Sequence, residues 1–274
     1  MGYDWVMAGE SKSWKLGKAE VRVTLPEGVT EGLSKAWTDA MAGVGADRRT
    51  ARKAPARERL SVDRIVDVAI EQMREKGYDA VTMRSIAKEL DTGPASLYAH
   101  VANRGELDGL VLDRVAGQWK IPQPDPEHWD EQLDVALHDL LDLYRAHPGV
   151  ARASMGMIPM QPGALVAAEG LLALLRAGNI PDRYAAWFID LTNLYVGSVA
   201  VEEDIWRQRG AETDGPADEE TIVAAVRDFM TKLPVDHFPL ISSMADVMTS
   251  GGGDERFDFS VKVLIAGLKA LSGA

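Results

Sequence analysis

The chain has 274 residues, 46% of them hydrophobic, no cysteine and a formal net charge of −12 at pH 7. That is enough chain to bury a sizeable core in one large or two modest domains, and the lack of cysteine excludes a disulfide scaffold, a thiolate zinc site and Cys nucleophiles. No apolar run approaches the ~18 residues of a membrane span and the N-terminus has no apolar signal region, so a cytoplasmic protein without a membrane partner is expected.

Charge is segregated along the chain. Residues 1–46 carry 5 Lys/Arg and 6 Asp/Glu, residues 47–104 carry 12 and 9, and residues 105–274 carry 13 and 27. Only the middle segment is positive. The first 46 residues hold Trp5, Trp14 and Trp37, and the alternation from Glu20 to Leu25 predicts a short strand before Pro26. Next, Arg48, Arg49, Arg52, Lys53, Arg57 and Arg59 oppose the single Glu58, with Pro55 and no apolar period. This reads as a flexible basic arm reaching DNA phosphate or the minor groove, a solvated linker being the alternative.

A helix is predicted from Ser61, a suitable N-cap, with Asp63 in the first turn. Ile65, Val66, Ala69, Ile70 and Met73 form a stripe that ends before Gly77. Thr82 can cap a second, short helix whose Ile86, Ala87 and Leu90 share one face, ending near Asp91. Asp91-Thr92-Gly93 favours a turn, and Pro94 suits the first position of a third helix. There Leu97 and Val101 can pack back on the second helix, leaving Ala95, Ser96, Tyr98, Ala99 and His100 outward. Helix, tight turn and helix in residues 82–104 make a helix-turn-helix able to enter a DNA groove. Arg84 has the planar fork for guanine O6 and N7. Ser96 and His100 can hydrogen-bond base edges or phosphates, and Ala95 and Ala99 can touch a thymine methyl.

Asn103 and Glu106 have capping-box spacing, opening a helix with Leu107, Leu110, Val111 and Val115 on one face. Pro122-Gln-Pro-Asp-Pro126 marks a boundary, and Asp125-Pro126 can start the next helix, whose apolar side runs from Trp129 to Tyr144. Helical segments follow at about 149–157, 163–177, 182–208, 219–232 and 255–271, with a loop at 209–218. The expected fold is all-α: an extension with the basic arm (1–59), a DNA-binding domain (60–104), a connecting helix (105–121) and a ligand-binding and dimerisation domain (122–274).

The segments RLSVDRIVDVAIEQMREKGYDAVTMRSIA and LYAHVANRGELDGLVLDRV resemble the DNA-binding domain of the TetR family of transcriptional regulators. From about residue 127, HWDEQLDVALHDLLDLYRAHPGVA resembles the C-terminal domain of the tetracycline-repressor branch. The resemblance implies a homodimeric regulator, a repressor released from a pseudo-palindromic double-stranded DNA operator by a small-molecule effector. It implies that Tyr98 and Arg104 contact phosphate, which sets register without reading sequence. It also implies that 182–208 and the tail stripe Phe257, Val261, Leu264, Ile265, Leu268 and Leu271 build the dimer interface, although the same stripes suit an internal core.

A largely apolar effector is expected from Trp129, Leu133, Met155, Met157, Met160, Trp187, Leu191 and Tyr195, bulky and adaptable walls that serve equally well as core. The five histidines lack metal-ligand spacing, Lys120 and Ala136 fall where the tetracycline branch holds its magnesium–drug complex, and no metal or cofactor is expected. The chain has neither G-x-x-x-x-G-K-[ST] nor H-E-x-x-H, so an enzyme is not expected. The alternative function is a protein-interaction module using the helical body beside a non-functional helix-turn-helix.

Overall fold

The computed structural model describes residues 11–16, 19–24, 60–157, 160–212 and 219–273. An antiparallel hairpin comes first, β1 Ser11–Leu16 with β2 Ala19–Thr24, Trp14 opposite Val21. The strand expected from Glu20 onward is present. Its partner carries little sequence signal, because SKSWKL alternates only weakly in polarity. Everything described from residue 60 onward is helical or loop, so the all-α reading holds for the folded body.

Helix α1, Val62–Lys76, starts at Ser61, whose side chain accepts from the Arg64 amide, and ends at Gly77 with φ 80°. A residue with a Cβ is strained there, and that Cβ would also meet the Gln208 amide nitrogen at 2.5 Å. After a 3₁₀ turn, Tyr78–Ala80, Thr82 caps α2, Met83–Glu89, in a closed capping box with Ser85. Asp91, at φ 49°, turns the chain into α3, Pro94–Tyr98, with Pro94 in its first turn. Ile86, Leu97 and Val101 are fully buried with Ile65 and Met73 of α1, so three short helices close on one another as the apolar spacing predicts.

Helix α4, Arg104–Ala116, is capped by Asn103, which accepts from the Glu106 amide at 2.9 Å. The returning half of the expected box is displaced by one residue: the Glu106 carboxylate accepts from the Ala102 amide at 2.6 Å. Asp125 and Pro126 form a turn in which the Asp125 carboxylate accepts from the Glu127 amide, and α5, Trp129–Ala146, begins after it. Helices α6 (Val150–Ser154), α7 (Pro162–Ala177) and α8 (Asp182–Glu212) follow. Helix α8 runs through the start of the loop expected from Arg209. Then come α9 (Glu219–Thr231), two short helices α10 (Pro239–Ser243) and α11 (Ala245–Met248), and α12 (Gly253–Ser272).

One continuous apolar core joins the three-helix head to the body through α4. Its body part is the α5 stripe Trp129, Leu133, Leu137, Leu141 and Tyr144, all buried against α7, α8 and α12. Of the tail stripe, Phe257, Val261, Ile265 and Leu268 are buried in this core and Leu271 is exposed. The internal-core role of that stripe is therefore the observed one. The opposite face of α12 carries exposed Phe259 and Val263.

Candidate nucleic-acid interface and an internal cavity

The capping box of α2 and the proline start of α3 fix the angle between the two short helices, and the side chains left outside that packing form one surface. Thr82, Arg84, Pro94, Ala95, Ser96, Tyr98 and Ala99 are exposed and His100 is half-buried. Tyr98 is 52% exposed although it is large and aromatic. A ring left in water beside a buried Leu97 suits a groove-facing surface better than a core. The basic-arm residues Arg48, Arg49, Arg52 and Lys53 lie outside the described residues.

Arg104, at the start of α4, makes contacts within the protein. Its Nε donates to Asp108 Oδ1 at 2.7 Å, one terminal nitrogen donates to the Val81 carbonyl and the other to the Tyr78 carbonyl at 3.3 Å. The guanidinium also lies over the Tyr78 ring, 4.2 Å from its centroid. Tyr78 completes the group by donating to Asp108 Oδ2 at 2.8 Å. Burial raises the Asp108 carboxyl above its ordinary range, opposed by the hydrogen bonds from Arg104 and Tyr78. With three of its five N–H donors held by the protein, Arg104 ties the start of α4 to the turn between α1 and α2.

Helix α4 also forms part of a cavity of about 460 Å³. Leu112 and Ala116 of α4 and Trp119 just beyond it face Leu140 and Tyr144 of α5; Ala164 and Leu171 of α7 and Asp190 and Asn193 of α8 close it. The Trp119 indole N–H donates to the Ala136 carbonyl at 3.1 Å, fixing the ring. Burial raises the Tyr144 hydroxyl above its ordinary range, with Ser154 as its hydrogen-bond partner.

Of the eight side chains expected at a ligand site, only Met155 and Met157 line this cavity. Trp129 and Leu133 are buried in the core, and a Cβ on Gly178 would strike the Trp129 ring. Tyr195 stacks on Phe257 at 5.8 Å, while Met160, Trp187 and Leu191 are exposed. Residue size marks bulk without telling on which side of a helix it falls. The remaining lining residues carry fainter signals: small Ala116 one turn from Leu112, and polar Asp190 and Asn193 within an otherwise apolar stretch of α8.

The body grips α4 and the head through glycine contacts. The Gly163 amide donates to Asp113 Oδ1 at 2.6 Å, and a Cβ there would lie 2.7 Å from the Asp113 carbonyl oxygen. Gly149, at φ 86°, packs on Met73 and Tyr78 while its amide donates to the buried Asp204 at 2.7 Å. Cavity, α4 and reading surface are thereby in direct mechanical series.

Comparison with known proteins agrees with this layout. Residues 65–107 match the family model for bacterial regulatory proteins of the tetR family, and residues 121–272 match that for the tetracyclin repressor-like C-terminal domain. The HTH-type transcriptional repressor DrrR1 of Streptomyces coeruleorubidus is 29% identical over 77% of this chain and 78% of its own. The TetR family protein ActR of Streptomyces coelicolor, solved in complex with actinorhodin, superposes with a TM-score of 0.70 at 35% identity, covering 78% of this chain and 98% of ActR. The class D tetracycline repressor of Escherichia coli is 25% identical over 77% of this chain and 90% of its own.

Proposed function

Since the chain belongs to the TetR family and is a ligand-responsive DNA-binding repressor, we infer that it acts as a homodimer released from a pseudo-palindromic operator when a largely apolar small molecule fills the cavity beside α4. The observation that carries this reading is the double use of α4, which is wall to the cavity at Leu112 and Ala116 and anchor of the head at Arg104. A ligand that spreads α4 from α7 alters the separation of the two recognition helices, so that they no longer fit successive major grooves.

Arg84, with Thr82, Pro94, Ala95, Ser96, Tyr98, Ala99 and His100, forms the reading surface, and Arg48, Arg49, Arg52 and Lys53 add phosphate contacts from the arm. Helix α8 presents exposed Trp187, Leu191, Leu194 and Ile205, and α12 presents Phe259 and Val263. Two such apolar faces per subunit suit a four-helix interface between copies. ActR in complex with actinorhodin supports a small-molecule effector.

The test is selection of random duplex DNA on the full-length protein, with the oligomeric state followed by light scattering. A dimer enriching an inverted repeat with half-site centres about 34 to 36 Å apart is expected. A monomer, or a single asymmetric half-site, overturns the reading.

A further inference from the structure

The cavity has a charge signature that bears on what fills it. Among the described residues that line it, Asp190 is the one carboxylate, and there is no Lys, Arg or His. No hydrogen bond or ion pair engages the Asp190 carboxylate among the described residues, nor the Asn193 side-chain amide. Both are exposed and sit three residues apart on α8, so they share one face at the rim of the cavity. The other polar liners are satisfied by the protein: Thr192 donates to the Phe188 carbonyl and Ser154 to the Ala151 carbonyl. Arg183, two turns earlier on α8, lies over the Trp187 ring at 4.2 Å.

We propose that the effector is an amphipathic cation, its apolar ring system against Trp119, Leu140 and Met157 and its ammonium or amidinium group at Asp190 and Asn193. The proposal rests on the cavity being the effector site. An anionic ligand would meet no counter-charge there and would face Asp190, whereas a cation satisfies both the carboxylate and the free amide oxygen. The body as a whole works the same way, since residues 105–274 hold 13 Lys/Arg against 27 Asp/Glu and favour the approach of cations. A volume of about 460 Å³ accommodates a drug-sized ring system.

Three fluorescent dyes test this on the full-length protein without DNA: rhodamine 6G (cationic), Nile red (neutral) and 8-anilinonaphthalene-1-sulfonate (anionic). Rhodamine 6G should bind about tenfold more tightly than the sulfonate, the scale expected of one partly shielded charge contact. Asp190→Asn should weaken rhodamine 6G by a similar factor and leave Nile red within about twofold, and Asp139→Asn on the exposed side of α5 should change neither. Equal binding of cation and anion, an unchanged rhodamine affinity in Asp190→Asn, or an equal loss of rhodamine and Nile red overturns the proposal. Ala164→Trp, which fills the cavity, separates the premise from the inference. Nile red binding lost in that variant keeps the cavity as the ligand site whatever the charge result, and Nile red binding that ignores the variant removes the site and the proposal together.

Discussion

Arg84 and Arg104 show how far a side chain's job depends on what surrounds it. Both are arginines beside the reading surface, yet Arg84 is exposed and Arg104 is held by Asp108, Tyr78 and Val81. Arg84→Ala should cost about 1–3 kcal/mol of operator binding, confined to one base position per half-site, and leave the melting temperature unchanged. Arg104→Ala should instead lower stability by about 1–3 kcal/mol, because it removes one donor each from a buried carboxylate and two carbonyls. The check is thermal melting alongside operator titration; equal melting of the two variants would return Arg104 to a phosphate role. At this scale the sequence is legible where spacing decides: the Ser61, Thr82 and Asn103 caps and buried Leu97 and Val101 all sit as predicted. It is illegible where a long side chain chooses between water and a partner 23 residues away, as Arg104 does with Val81.

At the scale of elements, helical period finds every long helix, because a stripe of apolar residues has to be buried somewhere. It misses α10 and α11, each of five residues or fewer and mostly exposed, where no stripe has room to develop. It also leaves open which face of α12 points inward, and the structure puts Phe257 and Val261 inside and Phe259 and Val263 outside. The corner between α5 and α6 carries a pH dependence. His147 ends α5 with a ring nitrogen 3.3 Å from Gln118 Oε1, and burial lowers its pKa from the ordinary value. The folded state then binds fewer protons than the unfolded one in the window below about pH 6.5, so stability falls as pH drops through that window. His147→Gln removes the titration. Its melting temperature should lose less than the parent's between about pH 7 and 5, and parallel curves for the two proteins would show that His147 contributes nothing.

On the scale of the whole molecule, charge is partitioned between head and body, the segment with the helix-turn-helix being positive and the body strongly negative. The acidic body repels DNA and leaves attraction to the head and the arm that precedes it. Deleting residues 1–46 should therefore leave operator affinity nearly intact, whereas deleting through residue 57 removes Arg48, Arg49, Arg52, Lys53 and Arg57. If each subunit places two of these on phosphate, the slope of log K against log salt flattens by about 3 to 4 at ~0.9 per contact. Fluorescence anisotropy over a salt series measures it, and equal slopes for both truncations would make the arm a linker.

Helix α4 is both cavity wall and support of the DNA-reading head, and this restricts how the protein can change. In the proposed mechanism a substitution at Leu112 or Ala116 that reshapes the cavity also moves the support, so ligand preference and resting operator affinity are inherited together at those two positions. The α7 and α8 walls, at Ala164, Ala168, Ala186 and Asp190, do not lie on the helix that carries the head. A lineage acquiring a new inducer has its cheapest route through those four sites, and variants selected for altered induction should accumulate there before they touch α4.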